Sequence, residues 1–209
     1  YNETTNSFEY LSPYTNGMYT ASFIGISSFF KGTMDNYNQF IQNRYDVSRR
    51  LGETNPYVNG VNDPTDPNFK KGYTGFSQDV IIPSFLATYM GKSGRDIPLM
   101  VNNNNSVKQN PFKNYLPMPN WRINYNGLAK TPLFSEKFSV INIRHSYRGM
   151  LSMNSFGSNL MYQDLLGVGF PSFLDSTSGN FIPFFQIPNV TITENFGPIA
   201  GFDFTMKSG

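Results

Sequence analysis

Apolar and polar residues alternate strictly in the second half of the chain. In the segment NWRINYNGLA, Trp121, Ile123 and Tyr125 fall on one face of an extended chain, and Arg122 and Asn124 fall on the other. Successive side chains of a β-strand point to opposite faces of its sheet. This period of two therefore predicts a strand with one apolar face and one polar face.

The same alternation continues over a longer segment, 138–153. This predicted strand has about 16 residues, whereas a strand in a soluble domain has about 5–6. Its length favours a large transmembrane barrel over a soluble sandwich, because barrel strands extend beyond the hydrocarbon layer. His145 is the one polar residue on the apolar face. The apolar face carries Ile141, Ile143, Tyr147, Leu151 and Met153, and the polar face carries Asn142, Arg144, Ser146, Arg148 and Ser152.

More strands are predicted at both ends of the chain. Residues 18–31 are β-branched, aromatic or small, and no charged residue precedes Lys31. This composition indicates a strand long enough to cross a membrane. The segments 190–193 and 199–207 indicate further strands near the end. We therefore expect four or five antiparallel strands.

Two short helices are predicted in the first half of the chain. Apolar residues recur at helical spacing over 36–51, and arginines lie near the end of this segment, where cations complement the helix dipole. A second helix is predicted over 77–90. Its expected boundary residues are Ser77 or Asp79 as N-cap, Pro83 within the first turn and Gly91 just beyond the end.

Three stretches are predicted to be loops. Several turn signals fall within 52–75, and the four asparagines of 102–105 indicate an exposed loop. The long connection 154–188 is expected either to fold over a barrel mouth or onto a neighbouring subunit, or to pack on its own aromatic residues. It contains Phe170, Phe173, Phe181, Phe184 and Phe185, with Pro171, Pro183 and Pro188.

The cost of burying charge decides which strand face would meet lipid. An arginine that faces hydrocarbon near the bilayer midplane costs roughly 2–4 kcal/mol in a barrel. The polar face is therefore predicted to line water and the apolar face to contact lipid. The lumen-facing candidates are Arg122, Asn124, Asn142, Arg144, Ser146, Arg148 and Ser152. The lipid-facing candidates are Trp121, Ile123, Tyr125, Ile141, Ile143, Tyr147 and Leu151.

Composition changes this picture only in part. Charged residues make up 14% of the chain and aromatic residues 16%, and Asn occupies 25 positions, so polarity comes from amides and hydroxyls more than from charges. The net charge of +2 is too small to indicate nucleic-acid binding. There is no cysteine, and no apolar run approaches the ~20 residues of a membrane-spanning helix. The start at Tyr1, without a signal peptide, suggests an excised or processed piece.

Candidate catalytic residues lack the partners that chemistry requires. His145 is the only histidine, and no cysteine or spaced carboxylates accompany it, so we expect a structural or interfacial role. Glu194 and Asp203 are separated by a predicted turn, which favours solvated or lumenal roles over acid-base catalysis. We therefore predict no enzyme activity, no metal and no cofactor.

The motifs of the chain resemble one known family. The run LPMPNWRINYNGL, residues 116–128, is similar to the PLPNWRVTYNGL segment of the SprA/Sov family, the outer-membrane translocon of type IX secretion in Bacteroidetes. Three further stretches agree in the expected order: SQDVIIPSFL at 77–86, RHSYR at 144–148 and TITENFGPI at 191–199.

This resemblance implies a single-chain barrel in the bacterial outer membrane, at the cell surface, that exports folded cargo. Residues 1–209 would form part of the wall and loops of one barrel domain of a longer chain. The implied partners are the remainder of the same barrel, a plug protein, a PorV-like partner barrel, cargo proteins with type IX C-terminal signal domains and the lipid bilayer, but no nucleic acid.

The predicted fold class is accordingly all-β, as a segment of a very large transmembrane antiparallel β-barrel with short helices in long loops. The predicted function is protein-conducting export. Two alternatives remain: an outer-membrane uptake barrel, and a surface module in which aromatic and amide groups bind glycans.

Overall fold

The computed structural model describes residues 16–100 and 117–207. An antiparallel sheet forms one layer, and helices cover part of one sheet face. The predicted loop 102–105 and Leu116 of the family motif lie outside the described residues. In chain order the elements are β1 (Asn16–Ser22), α1 (Ile26–Phe29), α2 (Thr33–Thr54), α3 (Gln78–Tyr89), β2 (Trp121–Tyr125), a 3-10 helix (Leu128–Lys130), β3 (Phe138–Ser158), β4 (Phe185–Gln186), β5 (Asn189–Phe196) and β6 (Gly201–Met206).

The sheet is built around β3, with which every other strand pairs antiparallel. β3 has 21 residues and spans about 70 Å at a rise of about 3.3 Å per residue. β1 and β2 lie end to end along one edge of β3, and β4, β5 and β6 lie end to end along the other. The sheet is thus long, three strands wide, and open at its outer edges within the described residues.

The helices lie in an excursion of the chain between β1 and β2. At the end of β1, the Phe23 N–H donates to the Gly149 carbonyl across 3.0 Å. The Met118 N–H then donates to the Ser22 carbonyl, also across 3.0 Å. The chain therefore leaves the sheet after Ser22 and returns beside the same point to form β2.

Helix α2 packs against α3 through a buried stripe that includes two polar residues. Val47 and Leu51 are buried in the core. The amide of the buried Asn43 donates to Thr88 Oγ1 (3.0 Å) and accepts from the Gly94 N–H (2.8 Å). A buried amide with both of its ends satisfied costs little and fixes the relative position of the two helices.

The predicted boundaries of α3 are largely confirmed. Ser77 is the N-cap residue, although its side chain makes no capping hydrogen bond. Gly91 has a φ of 65°, and the Lys92 N–H donates to the Ala87 carbonyl (2.8 Å), which closes the helix in a Schellman arrangement. Pro83 lies inside the helix rather than in its first turn, so that part of the prediction is wrong.

The core lies between the helices and the half of the sheet that contains β1, β4 and β5. It is formed by side chains from both layers. Met153 of β3 and Leu86 of α3 are completely buried. Burial of these apolar groups is the main force that holds the two layers together. The remaining members include Phe23, Val47, Leu51, Val80, Ala87, Ile97, Leu151, Phe156, Phe181, Phe185 and Ile187.

The Phe- and Pro-rich connection closes the helical side of this core. Its first residues, to Ser158, continue β3. The Phe181 N–H then donates to the Gly72 carbonyl (2.9 Å), and the Phe181 ring lies 5.1 Å from that of Tyr73. Phe184 packs perpendicular to Phe185 at 4.7 Å. The connection therefore packs both on the helical layer and on its own aromatic rings.

The all-β prediction is wrong. The chain is mixed α/β, and its six-strand sheet is not closed into a barrel. α2 has 22 residues and, with α3, supplies much of the core. The helices are therefore not the short segments within loops that were predicted. Sequence periodicity predicted most of the strands and both helices as separate elements. It did not predict that the helices would pack on one face of the sheet.

The strand predicted over 18–31 is also wrong beyond Ser22. β1 ends there because the chain crosses over β3, and Ile26 begins the single-turn helix α1. The other predicted strands are confirmed as β2, β3, β5 and β6, although β3 continues to Ser158. Among the described residues no helix combines the length and the apolarity that crossing a membrane would require.

Candidate functional site

One face of the sheet collects the polar residues of β2 and β3, and we call it the polar face. The strand register places Arg122 opposite Ser146 and Asn124 opposite Arg144. Directly opposed residues point to the same side of a sheet. The polar face therefore carries all seven predicted lumen-facing residues: Arg122, Asn124, Asn142, Arg144, Ser146, Arg148 and Ser152.

Arginine dominates the charge of the polar face. Arg144 forms an ion pair with Asp203 at 2.6 Å, and both side chains are about half exposed, at 55% and 53%. Pairs this exposed contribute at most about 1 kcal/mol. Arg122 and Arg148 are exposed and form no ion pair within the described residues. The face thus has an excess of positive charge.

A pocket of about 300 Å³ opens on the polar face. The turn after β5 lines part of it and is bonded to β3: the Ser146 hydroxyl donates to the Gly197 carbonyl (2.6 Å), and the Ser146 N–H donates to the Pro198 carbonyl (3.2 Å). These bonds anchor the turn beside the guanidinium groups. The pocket is lined by Arg122, Asn124, Arg144, His145, Ser146, Gly197 and Pro198.

The opposite sheet face is apolar, and half of it is uncovered. Ile123, Tyr125, Phe202 and Phe204 form what we call the open apolar patch, with exposed fractions of 51%, 50%, 63% and 64%. Tyr125 and Phe202 flank Ile143 from opposite edges of β3. Contiguous exposed apolar surface of this kind is unusual in a soluble monomer and marks a contact surface.

The other half of the apolar face lies under the chain's own helical layer. Tyr147 and Leu151 are each only 1% exposed. The Trp121 ring stacks on Tyr147 at 4.6 Å, and the Gly25 N–H donates to the Tyr147 hydroxyl (3.1 Å). The prediction that Tyr147 and Leu151 face lipid is therefore corrected: both are core residues, because residues 23–25 and the helices cover them.

The remaining predicted lipid-facing residues lie toward the open half. Ile141 and Ile143 lie partly exposed on the central strand, where β6 flanks both residues and β2 flanks Ile143. Trp121 is partly exposed at the boundary. Together with Ile123 and Tyr125, five of the seven candidates thus have surface that is free to contact another molecule.

The candidate catalytic groups are kept apart. Glu194 is on the apolar face, where it accepts a hydrogen bond from the Tyr147 hydroxyl, whereas Asp203 is on the polar face beside Arg144. They cannot act as an acid-base pair. The His145 ring contacts the Ile199 carbonyl through Nδ1. No cluster of His, Cys, Asp or Glu able to hold a metal occurs in residues 16–100 and 117–207.

A buried acid was missed by the sequence reasoning, which considered Asp79 only as a helix cap. Asp79 is only 7% exposed. Burial raises the pKa of Asp79 to about 7. Burial, and secondly the negative charge of Asp79, raise the pKa of Tyr73 above its usual range. Acids are common in the first turn of helices, so the position of Asp79 in the chain did not indicate that it is buried.

Comparisons with known proteins add to the candidate site only a negative result. No protein-family model matches the chain, and no curated protein is significantly similar to it. The features of the chain that bear on its function are therefore the sequence motifs, the polar face with its pocket, and the open apolar patch.

Proposed function

We propose that this chain is part of the outer-membrane translocon of the type IX secretion system, where it helps to conduct folded cargo. Its open apolar patch contacts acyl chains, and its polar face contacts water and the passing protein. The observation that carries the proposal is the opposition of the two faces. Arg122 and Arg144 lie on one side of the strands, and Ile123 and Phe204 lie half exposed on the other.

Only one orientation of the two faces in a membrane has a low free energy. An arginine directed into hydrocarbon would cost roughly 2–4 kcal/mol, and three arginines share the polar face. Burial of the apolar patch in acyl chains is favourable, at about 25 cal/mol for each Å² removed from water. Both terms therefore favour an orientation with the patch toward lipid and the arginines toward water.

The length of the open half of the sheet is consistent with a membrane crossing. The helical layer covers β3 from Tyr147 onward, which leaves residues 138–146, or about nine residues, on the uncovered side. A tilted transmembrane strand needs about 9–11 residues. In this arrangement the helical layer lies in water at one membrane surface, and only the end with β2 and β6 meets lipid.

The orientation can be tested with single-cysteine variants, because the chain has no native cysteine. Ile123→Cys and Phe204→Cys probe the open apolar patch. Asn124→Cys and Thr205→Cys are their matched controls on the polar face. With spin labels attached in outer-membrane vesicles, oxygen should relax the first pair more strongly and a water-soluble nickel chelate the second pair. Equal access of the nickel chelate to both faces would overturn the proposal.

The transport role needs a separate test in the host cell. Deletion of the parent gene should remove proteins with type IX signal domains from the medium, as counted by mass spectrometry. The wild-type gene should restore them, a Thr205→Asp gene should do so as well, and a Phe204→Asp gene should not. Unchanged secretion after deletion would reject the translocon. Loss of solute uptake would then indicate an uptake channel, and loss of polysaccharide binding a glycan module.

A further inference from the structure

We propose that the pocket between Arg122 and Arg144 binds the carboxylate of an acidic peptide segment. The pocket opens on the polar face, and its lining includes both arginines and the hydrogen-bonded pair Ser146 and Gly197. This inference does not depend on the translocon proposal, because it uses only the charge and hydrogen-bonding groups of the pocket.

The charge of the pocket fits a monoanion. Arg144 is already neutralised by Asp203 at 2.6 Å, whereas Arg122 has no carboxylate partner among the described residues. The two arginines and Asp203 leave a net charge of +1, which one carboxylate would cancel. A phosphate dianion would overcompensate this charge and would also be repelled by Asp203.

The available donors fit the shape of a carboxylate. A guanidinium presents N–H groups in a planar fork that pairs with both oxygens of a carboxylate. The Ser146 hydroxyl already donates to the Gly197 carbonyl, so its proton is not available to the ligand. The Asn124 side chain lines the same pocket, and its amide supplies an uncharged second donor.

The surroundings favour a carboxylate that is carried on a peptide. The pocket is open and its arginines are exposed, so a free carboxylate would be held by few contacts. Asn142 continues the polar face next to Arg144, and its amide can both donate to and accept from a peptide backbone. An extended peptide that lies along the strands would therefore gain contacts that a small anion lacks.

The test uses the full chain and the blocked peptide acetyl-Gly-Glu-Gly-amide, followed through the Arg122 Nε–H signal by NMR. The matched ligand carries Gln in place of Glu, and inorganic phosphate is the third probe. We expect saturable shifts with the Glu peptide, no saturable shift with the Gln peptide, and weaker binding of phosphate. Equal effects of both peptides, or tighter binding of phosphate, would overturn the inference.

Single substitutions test whether the Glu peptide binds in the pocket. Loss of an exposed ion pair costs up to about fivefold in affinity, so Arg122→Gln should weaken binding of the Glu peptide, measured by calorimetry, by about that factor. Arg122→Lys, which keeps the charge, should lose less. Arg148→Gln, on the same face but outside the pocket, should change the affinity less than about threefold. Equal losses of affinity in Arg122→Gln and Arg148→Gln would show that the peptide responds to the overall positive charge of the face and not to this pocket. That result would contradict the inference.

The result remains separable from the proposed function. If the Glu peptide binds but secretion is unchanged when the parent gene is deleted, the translocon proposal fails and the carboxylate site stands. If secretion requires the chain but the peptide does not bind, the reverse holds.

Discussion

Asp79 is buried in the helical layer, and this burial has a consequence for stability. Burial raises its pKa from 3.8 to about 7. As the pH rises from about 4 to 7, the unfolded chain releases this proton while the folded chain retains it. The free energy of unfolding therefore falls by up to about 1.4 kcal/mol per pH unit over this range and levels off above it.

The Asp79→Asn variant should lack this loss, because the amide is neutral at every pH. Urea unfolding at pH 4, 5.5, 7 and 8 should show the variant gaining stability relative to wild type as the pH rises. Asp63 and Asp175, whose pKa values are lowered by hydrogen bonds, are present in both proteins and cancel in the difference. Asp96→Asn, at an exposed position, should follow wild type. A parallel pH dependence in Asp79→Asn and wild type would contradict the buried acid.

Gly149 is the residue at which the chain crosses the sheet. A Cβ at this position would lie 2.0 Å from the Phe23 carbonyl oxygen, and that backbone is tied to Gly149 by the Phe23 N–H. Neither strand can move away without losing the hydrogen bond. We expect Gly149→Ala to lower the free energy of unfolding by about 1–3 kcal/mol or more, as overpacking does.

The matched control for this change is Gly32→Ala. Gly32 has a φ of −63°, and its nearest non-neighbouring atom, Asp35 Oδ2, lies 3.4 Å from the added Cβ. The control should lose less than about 1 kcal/mol, in keeping with an alanine at a helix N-cap. Equal thermal unfolding midpoints for Gly149→Ala and Gly32→Ala would show that the crossing is not tight.

The side chain of Gln78 connects helix α3 to the strand region at β4 through two hydrogen bonds. The Gln78 amide donates to the Phe185 carbonyl (2.8 Å) and accepts from the Ile187 N–H (2.8 Å). Gln78→Met keeps the length of the side chain but leaves both backbone groups unpaired at a site where Ile187 is 8% exposed. The expected loss is about 1–3 kcal/mol.

The change should be visible locally as well as globally. Hydrogen exchange at the Ile187 amide should accelerate in Gln78→Met even under conditions where the rest of the protein remains folded. Gln42→Met, at an exposed position on α2, is the control and should leave this amide unchanged. Unaltered exchange at Ile187 in both variants would mean that apolar contacts alone hold α3 against β4 and β5.

The elements differed in how well the sequence predicted them, for a physical reason. β2 and the outer half of β3 were predicted well because one face meets solvent and the other is apolar, so their side chains alternate. The strand predicted through Lys31 failed because the end of β1 is set by the backbone crossing at Gly149, which leaves no mark in side-chain periodicity. α3 buries several sides of its circumference, so its pattern could not reveal what covers it.

Most of the sheet is amphipathic, but only half of its apolar face is covered. The alternation at Ile123, Ile143 and Leu151 predicted that these residues share one face. It could not predict that Leu151 is sealed under helices while Ile123 is half exposed. That difference arises from contacts between segments distant in the chain, which a local pattern does not encode.

Partial coverage predicts that the two ends of β3 respond differently to lipid. Amides of residues 147–158 pair within the covered half and should exchange only with large-scale unfolding. Residues 138–146 pair with the short strands β2 and β6, which the helices do not cover. Their amides should therefore exchange through local opening in water. Transfer into lipid nanodiscs should slow exchange at 138–146 by at least about tenfold and leave α2 and α3 unchanged, because only the open apolar patch meets acyl chains.

The double variant Ile123→Asn/Phe204→Asn removes apolar surface from the patch without touching the covered half. Its amides at 138–146 should gain little protection from nanodiscs, whereas Asn124→Asp/Thr205→Asn, on the polar face, should be protected like wild type. Hydrogen exchange read by mass spectrometry resolves both halves of β3 in one experiment. If lipid slowed both halves equally in wild type, or protected the patch variant fully, the patch would not be the lipid-contacting surface, because the helical cover keeps lipid away from the other half.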